Sequence, residues 1–195
     1  MTKSEAALMV VVLIVAGVAG RVLPHMPNFA PVTATALFCG AHMSKRSSVA
    51  ATFVILLASD YLLLYINPFG TTSFAHFYAP WELWHRTLPY IYASFGISAA
   101  VGWYVKHHYS VSLAVVAASL CAVQFFLISN AGVWMAGGYD RGIDGLWQSY
   151  VAALPFFRGT LFGDLVYTAL FFGLWQFYAN VKHASWGRRT TLQTA

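Results

Sequence analysis

The feature that most constrains this chain is its apolar residues, which come in long uninterrupted blocks divided by short basic or proline-rich turns. Lys45-Arg46 and Lys106-His107-His108 are such turns, and Asn67-Pro68-Phe69-Gly70 is another. Blocks of this kind do not alternate at period two, which argues against an outer-membrane barrel. Charged residues make up 9% of 195 residues and hydrophobic ones 59%, with a mean hydropathy of +0.63. That balance cannot solvate a soluble domain and excludes a disordered chain. A chain in hydrocarbon must satisfy its backbone internally, so the blocks are expected to be helices.

A span needs roughly 20 residues to cross about 30 Å of hydrocarbon. The blocks predict six transmembrane helices in a single domain, at about residues 6–23, 31–43, 49–66, 87–105, 111–129 and 160–181. The first resembles a signal peptide but reads as a retained span. The second is short and reads as tilted or partly re-entrant. Two long connections, 71–86 and 130–158, fall on one side. The second half of the latter, Ile143 to Phe157, can form a short interfacial helix. Lys3, Lys45, Arg46, Lys106, Lys182, Arg188 and Arg189 fall on the opposite side from Arg21, Arg86, Arg141 and Arg158. The basic excess marks the cytoplasmic side, so both termini are expected in the cytoplasm and the long connections outside. The expected location is a bacterial inner membrane, with multiple passes. The scattered basic residues follow topology and give no sign of nucleic-acid binding.

Charges near span ends are the first candidates for chemistry. Arg21, Asp60, Arg158 and Asp164 each fall within about a turn of a predicted end, where an unpaired charge costs a few kcal/mol or more. They could form the polar floor of an outward cavity, or structural pairs. Asp164 follows Arg158 by six residues, about one and two-thirds turns, so the two point to different sides. Arg158 therefore needs another anion, either Asp60 or a ligand. Asn28, Asn67 and Asn130 are neutral hydrogen-bonding candidates at outer corners. Trp84, His85, Trp134 and Phe157 could stack on or seal a small ring-containing ligand. The competing reading is an interfacial aromatic belt. Two like-directed hairpins, ending Leu64-Tyr65-Ile66-Asn67 and Leu127-Ile128-Ser129-Asn130, hint at an internal repeat, which composition bias could equally produce.

Enzymatic chemistry finds little support. No phosphate-binding loop, dinucleotide fingerprint or Gly-x-Ser-x-Gly is present. No histidine falls at mid-span, which argues against an axially ligated haem. Glu82-Leu83-Trp84-His85 has a metal-like spacing but stands alone, so no cofactor and no metal are expected. A weaker reading is an intramembrane enzyme using His85 with Glu82 or Asp60. Cys39 and Cys121 lie in apolar blocks, away from any disulfide framework. Ala16 and Gly20 give the first span a small-xxx-small face that admits a neighbouring helix.

Arg21-Val22-Leu23-Pro24-His25-Met26-Pro27-Asn28-Phe29-Ala30-Pro31, followed by Ala36-Leu37-Phe38-Cys39-Gly40-Ala41, resembles the opening of an uncharacterised family of small bacterial six-span membrane proteins. Further blocks extend the resemblance: His85-Arg86-Thr87-Leu88-Pro89-Tyr90-Ile91-Tyr92, Phe125 to Trp134, and Ala153 to Asp164. The departure is Cys39, where that family usually has a small residue. The family is in turn similar in architecture to the substrate-binding S components of energy-coupling factor (ECF) vitamin transporters. The resemblance implies an S-component-like bundle that takes up a small vitamin-like or metal-related solute without chemistry of its own. It also implies a transmembrane scaffold and ATPases as partners, with span one as the docking face. The alternative is a structural or assembly subunit of a larger membrane complex.

Overall fold

The computed structural model describes residues 3–23, 28–66, 85–108 and 110–193. Among these residues it is all-helical, with no strand. The helices are α1 (Lys3–Val22), α2 (Val32–His42), α3 (Lys45–Leu63), α4 (Leu88–His107), α5 (Val111–Met135) and α6 (Ile143–Gln193). Each predicted span overlaps one of these helices. Two, α3 and α5, are long and apolar enough to cross a membrane, with mean hydropathies of 1.3 and 2.4 over their most apolar stretches.

Serine caps set two of the starts. Ser44 Oγ accepts from the Ser47 N–H at 3.2 Å, and Ser110 Oγ accepts from the Leu113 N–H at 3.1 Å. The Ser44 cap pulls Lys45 and Arg46 into the first turn of α3, ahead of the predicted start at Val49. Two other boundaries differ more. α5 runs six residues past the expected end at Ser129, because Gly132 acts as a packing residue and does not break the helix. A Cβ at Gly132 would lie 2.5 Å from Tyr90 Cγ. α6 begins at Ile143 and passes through Pro155, so the expected interfacial helix and sixth span are one helix. Pro155 removes one backbone hydrogen bond, at an exposed position.

The centre of the bundle is α2. Every residue from Val32 to Ala41 is buried. It packs most extensively on α4 and also touches α1, α3, α5 and α6. The α2–α4 crossing is backbone on backbone: a Cβ on Gly40 would sit 2.1 Å from the Ala99 carbonyl oxygen, and one on Gly102 2.2 Å from that of Leu37. Near the α2 C-terminus, His42 stacks on Phe38 at 4.0 Å and packs edge-on against Trp175 at 4.8 Å.

Contacts between helix termini define one end of the bundle. Lys182 Nζ meets Glu5 at 2.7 Å, and Lys106 Nζ donates to the Met43 carbonyl at 3.1 Å. Lys45 lies over the Trp103 ring at 5.2 Å. Hydrogen bonding to the Glu5 carboxylate pushes the Lys182 pKa up and holds its charge. These lysines, all predicted to face the cytoplasm, therefore share one end.

The crossing predicts a sharp contrast between glycines. Gly102→Ala should lower unfolding stability in detergent micelles by at least about 2 kcal/mol, because its methyl group meets backbone. At Gly96 in the same helix, a Cβ would meet nothing within 4 Å. Gly96→Ala should raise stability by about 0.5–1 kcal/mol through helix propensity alone. Equal effects at the two positions would contradict the close crossing.

Candidate functional site

At the end opposite the lysines, three helices converge on one carboxylate. Arg21 lies in the last turn of α1, where a cation complements the helix dipole. Its Nη1 donates to Asp60 Oδ1 and, at 2.7 Å, to Ser59 Oγ. Tyr92 of α4 donates its hydroxyl to Asp60 Oδ2 at 2.8 Å. The Ser59 hydroxyl in turn donates to the Ile55 carbonyl at 2.7 Å. Both charged side chains remain partly open, 22% exposed for Arg21 and 16% for Asp60. Asp60 thus has two partners from other helices, and neither is Arg158.

Arg158 is exposed on α6, and the expected alternative of an Asp60–Arg158 pair is not what forms. The continuity of α6 also corrects the depth of Asp164. It was expected within a turn of a helix start, yet it lies 21 residues along α6 from Ile143 and is 1% exposed. Asp164 therefore lies apart from the Arg21–Asp60 cluster, in the interior. There it lies close to the Thr33 side chain, in the first turn of α2.

The other predicted residues fall into two groups. On the α5–α6 hairpin, Asn130 Nδ2 donates to the Phe126 carbonyl at 2.8 Å, and the Asn130 carbonyl accepts from Ser149 Oγ at 2.9 Å. Phe157 packs on Phe126 at 4.9 Å. Trp134 Nε1 donates to the Asp140 carbonyl at 3.1 Å and closes the turn to α6, in which Gly137 and Gly142 take positive φ. Asn130 and Trp134 were expected in an outer connection but sit in the last turns of α5. Ahead of α2, Asn28 is exposed with φ 60°, and Phe29 packs on Tyr167 of α6 at 5.3 Å. His85 is exposed and shares a 2.6 Å hydrogen bond with Thr87 Oγ1. Asn67, Trp84 and Glu82 lie outside the described residues.

Several polar residues escaped the sequence reading. Tyr92 completes the Asp60 shell. Gln124 Nε2 of α5 donates to the Ser94 carbonyl at 2.9 Å and to Ser98 Oγ at 3.0 Å on α4. Ser98 Oγ donates to the Ser94 carbonyl, and Ser94 Oγ to the Tyr90 carbonyl. The available signal was a lone amide inside an apolar block opposite serines spaced i, i+4. Among the described residues no three His, Cys, Asp or Glu side chains gather as a metal site. The arrangement can bind polar groups.

The small-residue face of α1 is occupied within the bundle. A Cβ at Gly20 would lie 2.5 Å from Pro31 Cγ, and one at Gly17 2.9 Å from Ile55. The face of α1 that stays open is Leu8, Val11, Val12 and Val15. Between α1 and α6 an apolar groove of about 290 Å³ is lined by Leu8, Met9, Val12, Phe171, Leu174 and Trp175, among others.

The model of the family of unknown function DUF6580 matches residues 1–186. No curated protein matches the chain, and no solved structure matches it.

The geometry assigns the ion pair. A double-mutant cycle of Arg21→Gln and Asp60→Asn should give a coupling of about 1–2 kcal/mol in unfolding stability. Arg158→Gln should stay within about 0.5 kcal/mol of the parent, as expected of an exposed side chain. A large loss at Arg158 that Asp60→Asn rescues would reverse the assignment.

Proposed function

We propose that this chain, which belongs to the DUF6580 family, is a solute-binding subunit embedded in a membrane by six helices, with both termini in the cytoplasm. The observation that carries the reading is the half-open Arg21–Asp60–Tyr92 cluster at the end opposite the lysine anchors. A charged group near membrane depth is costly unless it is paired or lines a polar cavity. This pair remains partly exposed, where a solute could reach it. Arg21 suits a carboxylate or phosphate, since its planar guanidinium offers several donors at fixed angles.

The binding residues proposed are Arg21, Asp60 and Tyr92 at the floor, with Asn28 and His85 beside it. Asn67 and Trp84 are proposed as further contacts from the outer connection. Tyr90 packed on Gly132 places the α5–α6 hairpin next to α4. Trp134, Asn130, Phe157 and Arg158 thereby become a proposed flank of the same mouth. The solute class proposed is a small vitamin-like or metal-related compound carrying an anionic group. Energy for uptake would come from a transmembrane scaffold and ATPases. The open apolar face of α1 favours a second reading, a structural subunit of a larger membrane complex, because that face can pack on another helix as well as on lipid.

At 11 residues, α2 is about 16 Å long, roughly half the hydrocarbon thickness. The proposed crossing is completed by the segment 28–31 ahead of it. Irregular backbone at such depth is tolerated where protein buries it, and Phe29 against α6 supplies that cover.

Topology and binding are tested separately. Cys39 and Cys121 are buried, which keeps the background of thiol labelling low in the folded protein. Asp144→Cys should react with an impermeant thiol reagent from the outside of intact cells, and Ser47→Cys only after permeabilisation. The reverse pattern would overturn the proposed orientation. A library of vitamins and metal chelates should contain a compound that stabilises the purified protein, by about 2.7 kcal/mol at 100 times its dissociation constant. Arg21→Gln should abolish that shift. Silence across the library would favour the structural subunit.

A further inference from the structure

Two oxygens one turn apart on α6 have no hydrogen-bond partner although both are buried. They are Asp164 Oδ2 and Thr168 Oγ1. Asp164 and Thr168 are each 1% exposed. At i and i+4 the two side chains share a face, with Cβ atoms roughly 6 Å apart. Thr33 brings a third oxygen from α2 close to the carboxylate. Around them the interior is otherwise apolar or neutral. Cys121 of α5 is near, and its thiol lies beside Ser98. Gln124, one turn along α5 and bonded to the same Ser98, carries a further unpaired buried oxygen, Oε1.

This combination is unusual. Buried polar atoms nearly always find partners, and each orphan costs about 1–3 kcal/mol. Here the orphans are oxygens, and one belongs to a carboxylate. No salt bridge to Asp164 forms among the described residues. Arg158, six residues earlier on the same helix, is exposed. The N-terminus of α2 at Thr33 supplies at most about half a unit of positive charge. A carboxylate ionised here would find little counter-charge among the residues around it, while nearby hydroxyl oxygens offer lone pairs with nothing to receive them.

We propose that Asp164, Thr168 and Thr33 hold one small monovalent cation, sodium, between α2 and α6. Hard oxygen donors, a carboxylate with two hydroxyls, suit such an ion. The carboxylate neutralises its charge, and the ion gives both orphaned oxygens a partner. The site lies in the interior, apart from the Arg21–Asp60 cluster, and does not depend on the solute reading.

The test uses the full chain, purified in detergent without added sodium. Its melting temperature is followed as sodium chloride replaces choline chloride at constant pH and ionic strength, with potassium and lithium in parallel. The expected result is a saturable rise with sodium. Asp164→Asn should melt at one temperature whatever the cation. Thr168→Val should be at least as stable as the parent in choline, because it removes an oxygen that has no partner. Its apparent dissociation constant for sodium should be at least about fivefold weaker. Should Asp164→Asn fail to fold, Thr168→Val still decides. Arg21→Gln should leave the sodium response unchanged, which separates this site from the outward cluster. A parent protein indifferent to every cation overturns the proposal. In that case, a response to pH alone would assign the carboxylate a proton, and no response to either would assign a buried water. A sodium effect that survives in Asp164→Asn overturns it as well.

Discussion

The α2–α4 crossing at Gly40 and Gly102 is the constraint on which the other contacts depend. Two backbones can approach this closely only where neither carries a side chain. Ala99, Ala36 and Ala41 extend the small surface around the crossing and are all buried. Where helices meet in hydrocarbon there is no hydrophobic drive between them, and close packing of this kind is what holds them together. Once α2 is seated, its remaining faces are covered by α1, α3, α5 and α6. An 11-residue helix buried along its length forms little on its own and is held by its surroundings.

Polar residues are then distributed by depth. Lysines tie helix termini together at one end, through Glu5, the Met43 carbonyl and the Trp103 ring. Arg21, Asp60 and Tyr92 join α1, α3 and α4 at the other. Between the ends, hydroxyls such as those of Thr52 and Ser94 bond back to their own helices, which costs the bundle little. Asp164 breaks that pattern, since an ionisable side chain sits where the rest of the interior is neutral.

The six helical blocks were legible because each is apolar over most of its length and most end in basic or proline-rich punctuation. Boundaries failed where a punctuating residue had another use. Gly132 serves as a seat for Tyr90, and Pro155 sits inside a continuous helix. The second misreading carried Asp164 from the interior to a supposed helix end. Arg21 and Asp60 were recognisable as charges needing partners, but sequence spacing could not choose between Arg21 and Arg158 as the mate of Asp60. That choice depends on α1 lying against α3, which follows from Gly17 packing on Ile55. Tyr92 and Gln124 were missed because a single tyrosine or glutamine in an apolar block has no periodic signature.

The Gln124 bonds have a consequence for how α4 and α5 can move. Apolar helix surfaces permit sliding by a turn, about 5.4 Å, since one ridge resembles the next. Toward the lysine end, such a slip would carry Gln124 from Ser98 to Gly102, which has no hydroxyl to receive it. In the opposite direction Gln124 would find an equivalent pair of acceptors, the Tyr90 carbonyl and Ser94 Oγ. That slip, however, would bring Ile128 to the height now held by Gly132, against the Tyr90 ring. One missing hydroxyl and one missing side chain thus lock α4 and α5 in a single register, so a change of shape in this bundle must proceed by tilting rather than by ratcheting along that seam.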